Sequence, residues 1–537
     1  MFKKILALLV VMTLLVTVFA ACSSTKSSKD TVTVIDAAEP ETLDPALNSS
    51  VDGSTKILQM FEGLTRVDKD GKTVPGIAEK WDISQDGLTY TFSLRNAKWS
   101  DGQPVKAKDF EYAWKRVLDQ KLASPYAFLL FYIKNAEEYN AGKASADDVG
   151  VKAKDDKTLV VTLKAPTAYF LDLANQSTYM PVRQDIIEKA GDKWTQDPAT
   201  YIGNGAYKMV AWNHNDVLEL TKNENYWDSK NTAFIKNINF KLTDDQNAAL
   251  SAFESGEVDA LLNNQVPVTE VKRLMQEKQL KLYPSLGTYY FEFNVTKPPF
   301  DNVKLRKALS LAIDRQYLVD NIAGAGQKPA NGMVPYGAQG AVAGTDFRSE
   351  KEAGNFISPK PDIEQAKKLL AEAGYPDGKG LPPIEVVYNT NTNHQKISEY
   401  LQEQWKKNLG VEVKISNMEF KVLIPKRQNH DFQIARAGWL ADYNDPMTFL
   451  DLFTKANGNN DPGYFNEQYE KFIKEAQNSG DQKVRMKAMH DAEKILMEDA
   501  PVIPLYFYTT YQLENPGLTN MFTSPQGFTY LMYAYIK

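Results

Sequence analysis

Asp431-Phe-Gln-Ile-Ala-Arg-Ala-Gly-Trp-Leu-Ala-Asp-Tyr-Asn-Asp-Pro446 is the stretch on which the reading of this chain turns. Phe432 and Ile434 alternate as on a half-buried strand, and the same phase carries Arg436 onto their apolar face. A cation there needs an acceptor, because an unpaired buried charge is strongly unfavourable. Asp442 follows six residues later, among Trp439, Tyr443 and Pro446, in the composition of a loop. Two readings are open: an internal salt bridge between Arg436 and Asp442, or a site that offers one positive and one negative pole to a zwitterionic ligand.

Outward from this stretch the patterns alternate between strand and helix. Ile384 to Tyr388 reads as a strand, Ile397, Tyr400, Leu401 and Trp405 as a helix ended by Gly410, and Val411, Val413 and Ile415 as the next strand, which makes a βαβ unit. Asp362 and Gln365 have capping-box spacing ahead of a face made by Ile363, Ala366, Leu370 and Ala373, closed by Gly374. Asp301, after Pro298-Pro299, is the expected N-cap of a helix from Val303 to Ile322 that stops at Gly324. Nearer the amino terminus, Leu88, Tyr90, Phe92 and Leu94 alternate with polar residues after an Asp86-Gly87 turn. Phe110, Ala113, Trp114, Val117 and Leu118 then recur at helical spacing, and Leu159, Val161 and Leu163 form a second strand pattern that stops at Pro166. Both halves therefore carry sheet and helix. The expected fold class is α/β, with lobes facing a cleft that opens and closes by hinge motion.

With 537 residues the chain has room for two to four domains of about 150 residues. Lys plus Arg number 62 and Asp plus Glu 68, so there is no basic excess to support nucleic-acid binding. A single cysteine excludes an internal disulfide and cysteine-rich zinc sites, and taken alone suits the cytosol. Its position says otherwise. Lys3 and Lys4 precede an apolar run from Ile5 to Ala21, broken only by Thr13 and Thr17, which is the pattern of a secretory signal. Phe19-Ala20-Ala21-Cys22 resembles the bacterial lipobox, with Phe19 where leucine is more usual; the resemblance implies a diacylglycerol on Cys22 and cleavage of residues 1–21. Two acyl chains suffice for stable anchoring. Losing Lys3 and Lys4 takes the formal charge from -6 to -8. Residues 22–30, Cys22 followed by Ser-Ser-Thr-Lys-Ser-Ser-Lys-Asp, read as a flexible tether, and no later segment has 18 consecutive apolar residues.

Catalytic patterns are scarce. There is no Gly-x-Ser-x-Gly elbow, no Gly-x4-Gly-Lys-Ser/Thr loop and no His-Glu-x-x-His. His214, His394, His430 and His490 are far apart, and adjacent pairs such as Asp147-Asp148 do not face one another. Asp68-Lys-Asp70-Gly71 has the start of a calcium loop without its remaining ligands. The expectation is a non-enzyme with no cofactor and no metal.

Ala435 to Pro446 resembles the signature region of the oligopeptide-binding proteins of bacterial ABC importers. So do Glu39-Pro-Glu-Thr-Leu-Asp-Pro45, Phe61-Glu-Gly-Leu64, Asp86 to Phe92, Lys98-Trp-Ser-Asp-Gly102, Tyr289-Tyr-Phe-Glu-Phe-Asn294, Lys297-Pro-Pro-Phe300, Arg306 to Arg315 and Pro501-Val-Ile-Pro-Leu-Tyr506, all in order along the chain. The resemblance implies a periplasmic-binding-protein-like fold of three domains: domain I discontinuous over 31–52, 187–286 and 511–537, an extra domain II over 53–186, and domain III over 287–510. It implies an extended peptide enclosed between domains I and III as an added strand. Asp442 then matches the acceptor of the peptide ammonium. Arg436, Arg427 and His394 match positions that meet the peptide carboxylate, Glu39 lies in the opening strand, and Trp439 and Tyr443 line the site. Tyr506 and Tyr508 are either pocket walls or core. A lysine that the family sometimes contributes falls near Gln327-Lys-Pro329. The disulfide of some members would join Gly287 and Leu440; both cysteines are absent, so the place should be repacked. The implied partners are an oligopeptide, the permease of an ABC transporter and, through the lipid, the membrane, with a monomeric receptor on the extracytoplasmic face. A receptor for a metal chelate, haem or sugar, a peptide-pheromone sensor and, more remotely, a surface hydrolase stand as alternatives.

Overall fold

The computed structural model describes residues 30–537 apart from positions 37, 38, 41, 70, 244, 343 and 456. The leader, Cys22 and the tether up to residue 29 lie outside the described residues. After β1 (Thr31–Ile35) and α1 (Val51–Met60) the chain builds a separate four-stranded antiparallel sheet from β2 (Ala78–Ile83), β3 (Thr89–Leu94), β4 (Val151–Asp155) and β5 (Thr158–Thr162), in the order β2-β3-β5-β4. The alternation at 89–94 has its physical cause here: Tyr90, Phe92 and Leu94 are buried and the residues between them half-buried. The helix α2 (Ala107–Leu118) buries Phe110, Ala113, Trp114, Val117 and Leu118, the five residues whose spacing announces it.

The chain then returns to β1. β6 (Tyr207–Asn213), β7 (Val217–Lys222) and β8 (Asn237–Lys241) extend the sheet on one side of β1, and β9 (Ala260–Leu261) pairs with the other. The second lobe is made by β10 (Leu280–Phe293), α3 (Val303–Leu311), α4 (Ile363–Glu372), β11 (Ile384–Asn389), α5 (Thr392–Leu409), β12 (Val413–Met418), α6 (Phe420–Gln428), β13 (Ile434–Leu440) and β14 (Val502–Glu514). One sheet runs through both lobes in the order β12-β11-β13-β10-β14-β9-β1-β8-β7-β6. The two long strands β10 and β14 carry it across. Leu280–Pro284 pair with Thr509–Leu513 on the first-lobe side and Thr288–Glu292 with Val502–Phe507 on the other, and the register slips between Pro284 and Thr288. That slip is where the twist of the sheet can change without breaking either lobe's ladder.

The βαβ unit is present: β11 and β12 are parallel and α5 connects them, capped at its start by Asn391 and closed by Gly410 in the left-handed region. Ile397, Leu401 and Trp405 of α5 pack with Phe291 and Ile434 on one face of the sheet, while Leu423 of α6 packs with Val387, Phe432 and Ala435 on the other. Asp362 caps α4 by accepting from the Gln365 amide at 3.0 Å. One expected helix is corrected. Asn302, not Asp301, caps α3, and the helix stops at Leu311 because Asp314 accepts from the Tyr317 amide at 2.8 Å and starts a new turn, which ends at Gly324. The chain end packs back on α1: the Gln59 side chain donates to the Thr529 carbonyl and accepts from the Leu531 amide.

Candidate functional site

The candidate site is a strand edge. β13 pairs with β10 along Ile434 to Leu440, but on its other side β11 pairs only with Ile434 and Ala435. From Arg436 to Leu440, about 13 Å of strand at roughly 3.3 Å per residue, β13 is paired along one edge alone among the described residues. The place where two parallel strands diverge at their carboxyl ends is where open α/β sheets bind ligands.

Arg436 stands at one end of this edge. Its Nη2 donates to the Tyr508 hydroxyl at 3.1 Å, its guanidinium lies 4.6 Å from the Tyr289 ring centre, and Nη1 is 3.5 Å from Asn389 Oδ1. Nε is buried without a partner. No carboxylate pairs with it among the described residues. Gly438 makes room for this arrangement, since a Cβ there would lie 2.6 Å from the Tyr508 hydroxyl and 3.2 Å from Arg436 Nη2. Asp442 stands at the other end. Its backbone amide donates to Thr448 Oγ1 at 3.4 Å, whereas its carboxylate has no cation within salt-bridge distance and no hydrogen-bond donor among the described residues. Burial pushes its pKa up to about 7. The internal Arg436 to Asp442 salt bridge, one of the two readings open from sequence, is therefore not formed.

Between the poles, the Trp439 indole donates to Thr448 Oγ1 at 3.1 Å and is half-buried. Tyr443 is fully packed: it stacks on Tyr169 at 4.5 Å between ring centres, and its hydroxyl is 3.3 Å from that of Tyr132. Both partners belong to the separate four-stranded unit, so this contact joins that unit to the second lobe next to Asp442. Tyr506 stacks on Tyr289 within the core and Tyr508 turns its hydroxyl to Arg436, so the two tyrosines divide between the core and site readings.

Three further expected contacts already have partners within the chain. Arg427 is bound to Glu292 at 2.5 Å and to Asp461 at 2.7 Å. Glu292 pairs across from Ala435 and Phe291 from Arg436, so Arg427 meets the sheet face opposite Arg436. Its charge is already spent on two internal carboxylates. His394, at the start of α5, is 3.1 Å from the Tyr289 hydroxyl, and burial, with the Arg436 charge adding to it, lowers its pKa to about 3. It is a neutral hydrogen-bonding group and not a second cation. Glu39 accepts from Asn215 N at 2.9 Å and pairs with His214 Nδ1 at 2.6 Å, which ties the opening segment to the turn between β6 and β7. At the place where the resemblance implies a disulfide in some members, Gly287 lies opposite Leu440, and a Cβ at 287 would come within 2.5 Å of the Leu440 side chain. The leucine fills the space, as the repacked reading expects. Lys328 pairs with β14 through its backbone and stacks its ammonium 4.9 Å from the Tyr336 ring.

Residues 72–461 match the family described as bacterial extracellular solute-binding proteins, family 5. The chain belongs to that family. This family 5 protein is 42% identical to the oligopeptide-binding protein OppA of Bacillus subtilis over 519 residues, which is 95% of this chain and 93% of the relative. Among solved structures, the unliganded open form of the murein tripeptide-binding protein MppA superposes with a TM-score of 0.79 at 35% identity, covering 95% of this chain and 97% of that one. Haemophilus influenzae OppA in complex with RPPGFSPFR gives 0.74 at 35% identity, over 95% and 99%. The fold brings Tyr289 and Asn389 against Arg436, and Tyr132 and Tyr169 against Tyr443, four residues to which the sequence pattern assigns no role. Tyr289 lies inside a recognised motif, but its contact with Arg436 depends on strand register, and Tyr169 reaches Tyr443 across 274 residues of chain.

Proposed function

We propose that this protein is a lipid-anchored extracytoplasmic receptor that binds extended oligopeptides between its lobes and delivers them to an ABC transporter, without catalysing any reaction on them. The observation that carries the reading is the edge of β13, which among the described residues is unpaired from Arg436 to Leu440, with a guanidinium lacking a carboxylate at one end and a carboxylate lacking a cation at the other. A peptide with its ammonium on Asp442 and its carboxylate towards Arg436 runs antiparallel to β13 and completes the ladder. Main-chain hydrogen bonds are common to all peptides, which gives tolerance of side chains, and each terminus brings the partner that an internal charge lacks. The slip in β10 opposite β14 is the proposed hinge, with domain I over 31–52, 187–286 and 511–537, domain II over 53–186 and domain III over 287–510. Closure then brings Glu39 and the segment after β1 over the peptide, and differential contacts in the closed form select the ligand. Arg427 supports the site as a structural ion pair.

Titration calorimetry on ligand-stripped protein tests this. Peptides with free termini should bind, and N-acetylation or Asp442→Ala should each weaken them by about 2–5 kcal/mol. Equal binding of free and acetylated peptides would defeat the assignment. Mass spectrometry of the small molecules released on denaturation should find peptides, and a metal chelate, haem or sugar there would favour the alternative. Incorporation of labelled palmitate, lost in Cys22→Ser, tests the anchor.

A further inference from the structure

A second carboxylate, nine residues after Asp442, is also without a counter-ion among the described residues. Asp451 follows the short helix Met447–Leu450 and lines a cavity of about 460 Å³ between the four-stranded unit and the second lobe. The other walls include Phe128, Phe131, Tyr132 and Tyr169. No cation and no hydrogen-bond donor reaches the Asp451 side chain among the described residues. Lys164 and Arg485 also line the cavity, but Lys164 pairs with Glu137 at 3.4 Å and Arg485 with Asp445 at 2.9 Å. Tyr132 and Tyr169 in the cavity wall are the same two rings that hold Tyr443, the residue after Asp442, so the cavity adjoins the acidic pole of the strand edge; burial pushes Asp451 up to about 7, with the negative charges of Asp442 and Asp445 adding to it. Aromatic faces around a carboxylate are the surroundings that suit an ammonium or guanidinium.

We infer that Asp451 and this aromatic cavity form a subsite for a cationic side chain, selecting lysine or arginine as the first residue of the bound peptide. The inference rests on the peptide reading given above: the ammonium on Asp442 fixes the first residue beside the cavity, and its side chain carries a second cation to the second carboxylate. Asp451 is in this sense a specificity-determining residue, distinct from the acceptor that every peptide uses.

The test is calorimetric titration of full-length, ligand-stripped protein with alanine peptides of three to five residues carrying lysine or its uncharged isostere norleucine at the first position, and with lysine moved to the second position. Wild type should prefer lysine over norleucine at the first position by about tenfold or more and show no such gain at the second. Asp451→Asn should bring the first-position pair to within about twofold of one another, chiefly by lowering the lysine peptide's affinity. Equal affinity of the pair in wild type overturns the inference without any variant, as does a preference that survives in Asp451→Asn. If both series bind equally, the peptide reading stands and only this subsite falls; if neither binds, both fall.

Discussion

Replacing Asp442 by asparagine should make the empty protein more stable and the receptor useless. The side chain keeps its shape and loses its charge. In the folded, ligand-free protein the Asp442 carboxyl titrates at about 7 against 3.8 for the free side chain. At 1.36 kcal/mol per unit, this difference of about 3 units sets a ceiling of about 4 kcal/mol on the cost of holding the ionised group. Because the folded pKa is raised, the native state holds the proton more tightly than the unfolded chain. Wild-type stability from this group is therefore full below about 3.8, declines as pH rises through the window from there to about 7, and is lowest above it. Asparagine does not titrate. Urea denaturation of ligand-stripped protein should find the variant more stable than wild type by about 1–4 kcal/mol at pH 8.5 and nearly equal to it at pH 4. In the same variant the affinity for peptides should drop by about 2–5 kcal/mol, since the buried ammonium loses its counter-charge. A variant less stable than wild type at pH 8.5, or a difference that is the same at both pH values, would refute the claim that Asp442 is an unpaired acceptor kept for a ligand.

Peptide affinity in the wild type should fall about tenfold per pH unit below 7, because the proton on Asp442 must leave before the ammonium arrives; titrations at three pH values with a neutral-side-chain peptide check this, and the slope should vanish in Asp442→Asn. Arg436→Met should cost little stability, since it removes a cation with no carboxylate partner among the described residues, yet weaken peptides with a free carboxyl terminus while leaving amidated ones unaffected. By contrast, Arg427→Met should destabilise the fold by about 3–5 kcal/mol, read by thermal or urea unfolding, because it strands Glu292 and Asp461 without their cation. Gly438→Ala places a methyl group 2.6 Å from the Tyr508 hydroxyl, and should displace Tyr508 from Arg436 at a cost of about 1–3 kcal/mol in stability, with a matching loss of peptide affinity.

The difference between the two arginines shows what was legible in the sequence. Arg436 stands out because strand periodicity puts a cation on the apolar face of Ile434, a local conflict that a single stretch displays, although Phe432, ahead of the strand, turns to the other face and packs with Leu423 and Ala435. The same stretch could not say whether Asp442 resolves the conflict, since Arg436 is on the strand and Asp442 beyond its end, and only the described structure shows their charges apart. Arg427, His394 and Glu39 carry no comparable local signal. Their partners come from 135, 105 and 175 residues away, so register and packing decide whether each is free. Element patterns were legible for the same reason that Arg436 was: the burial of Tyr90, Phe92 and Leu94, or of Ile397, Leu401 and Trp405, repeats within one element. The break at Asp314 was not, because a polar side chain competing for a backbone amide leaves the apolar spacing on either side intact. Binding sites belong to the second class. An unpaired charge is a statement about every neighbour at once, and the two on which the proposed peptide site rests, at Asp442 and Arg436, are left without counter-charges among the described residues at a cost to the stability of the empty fold.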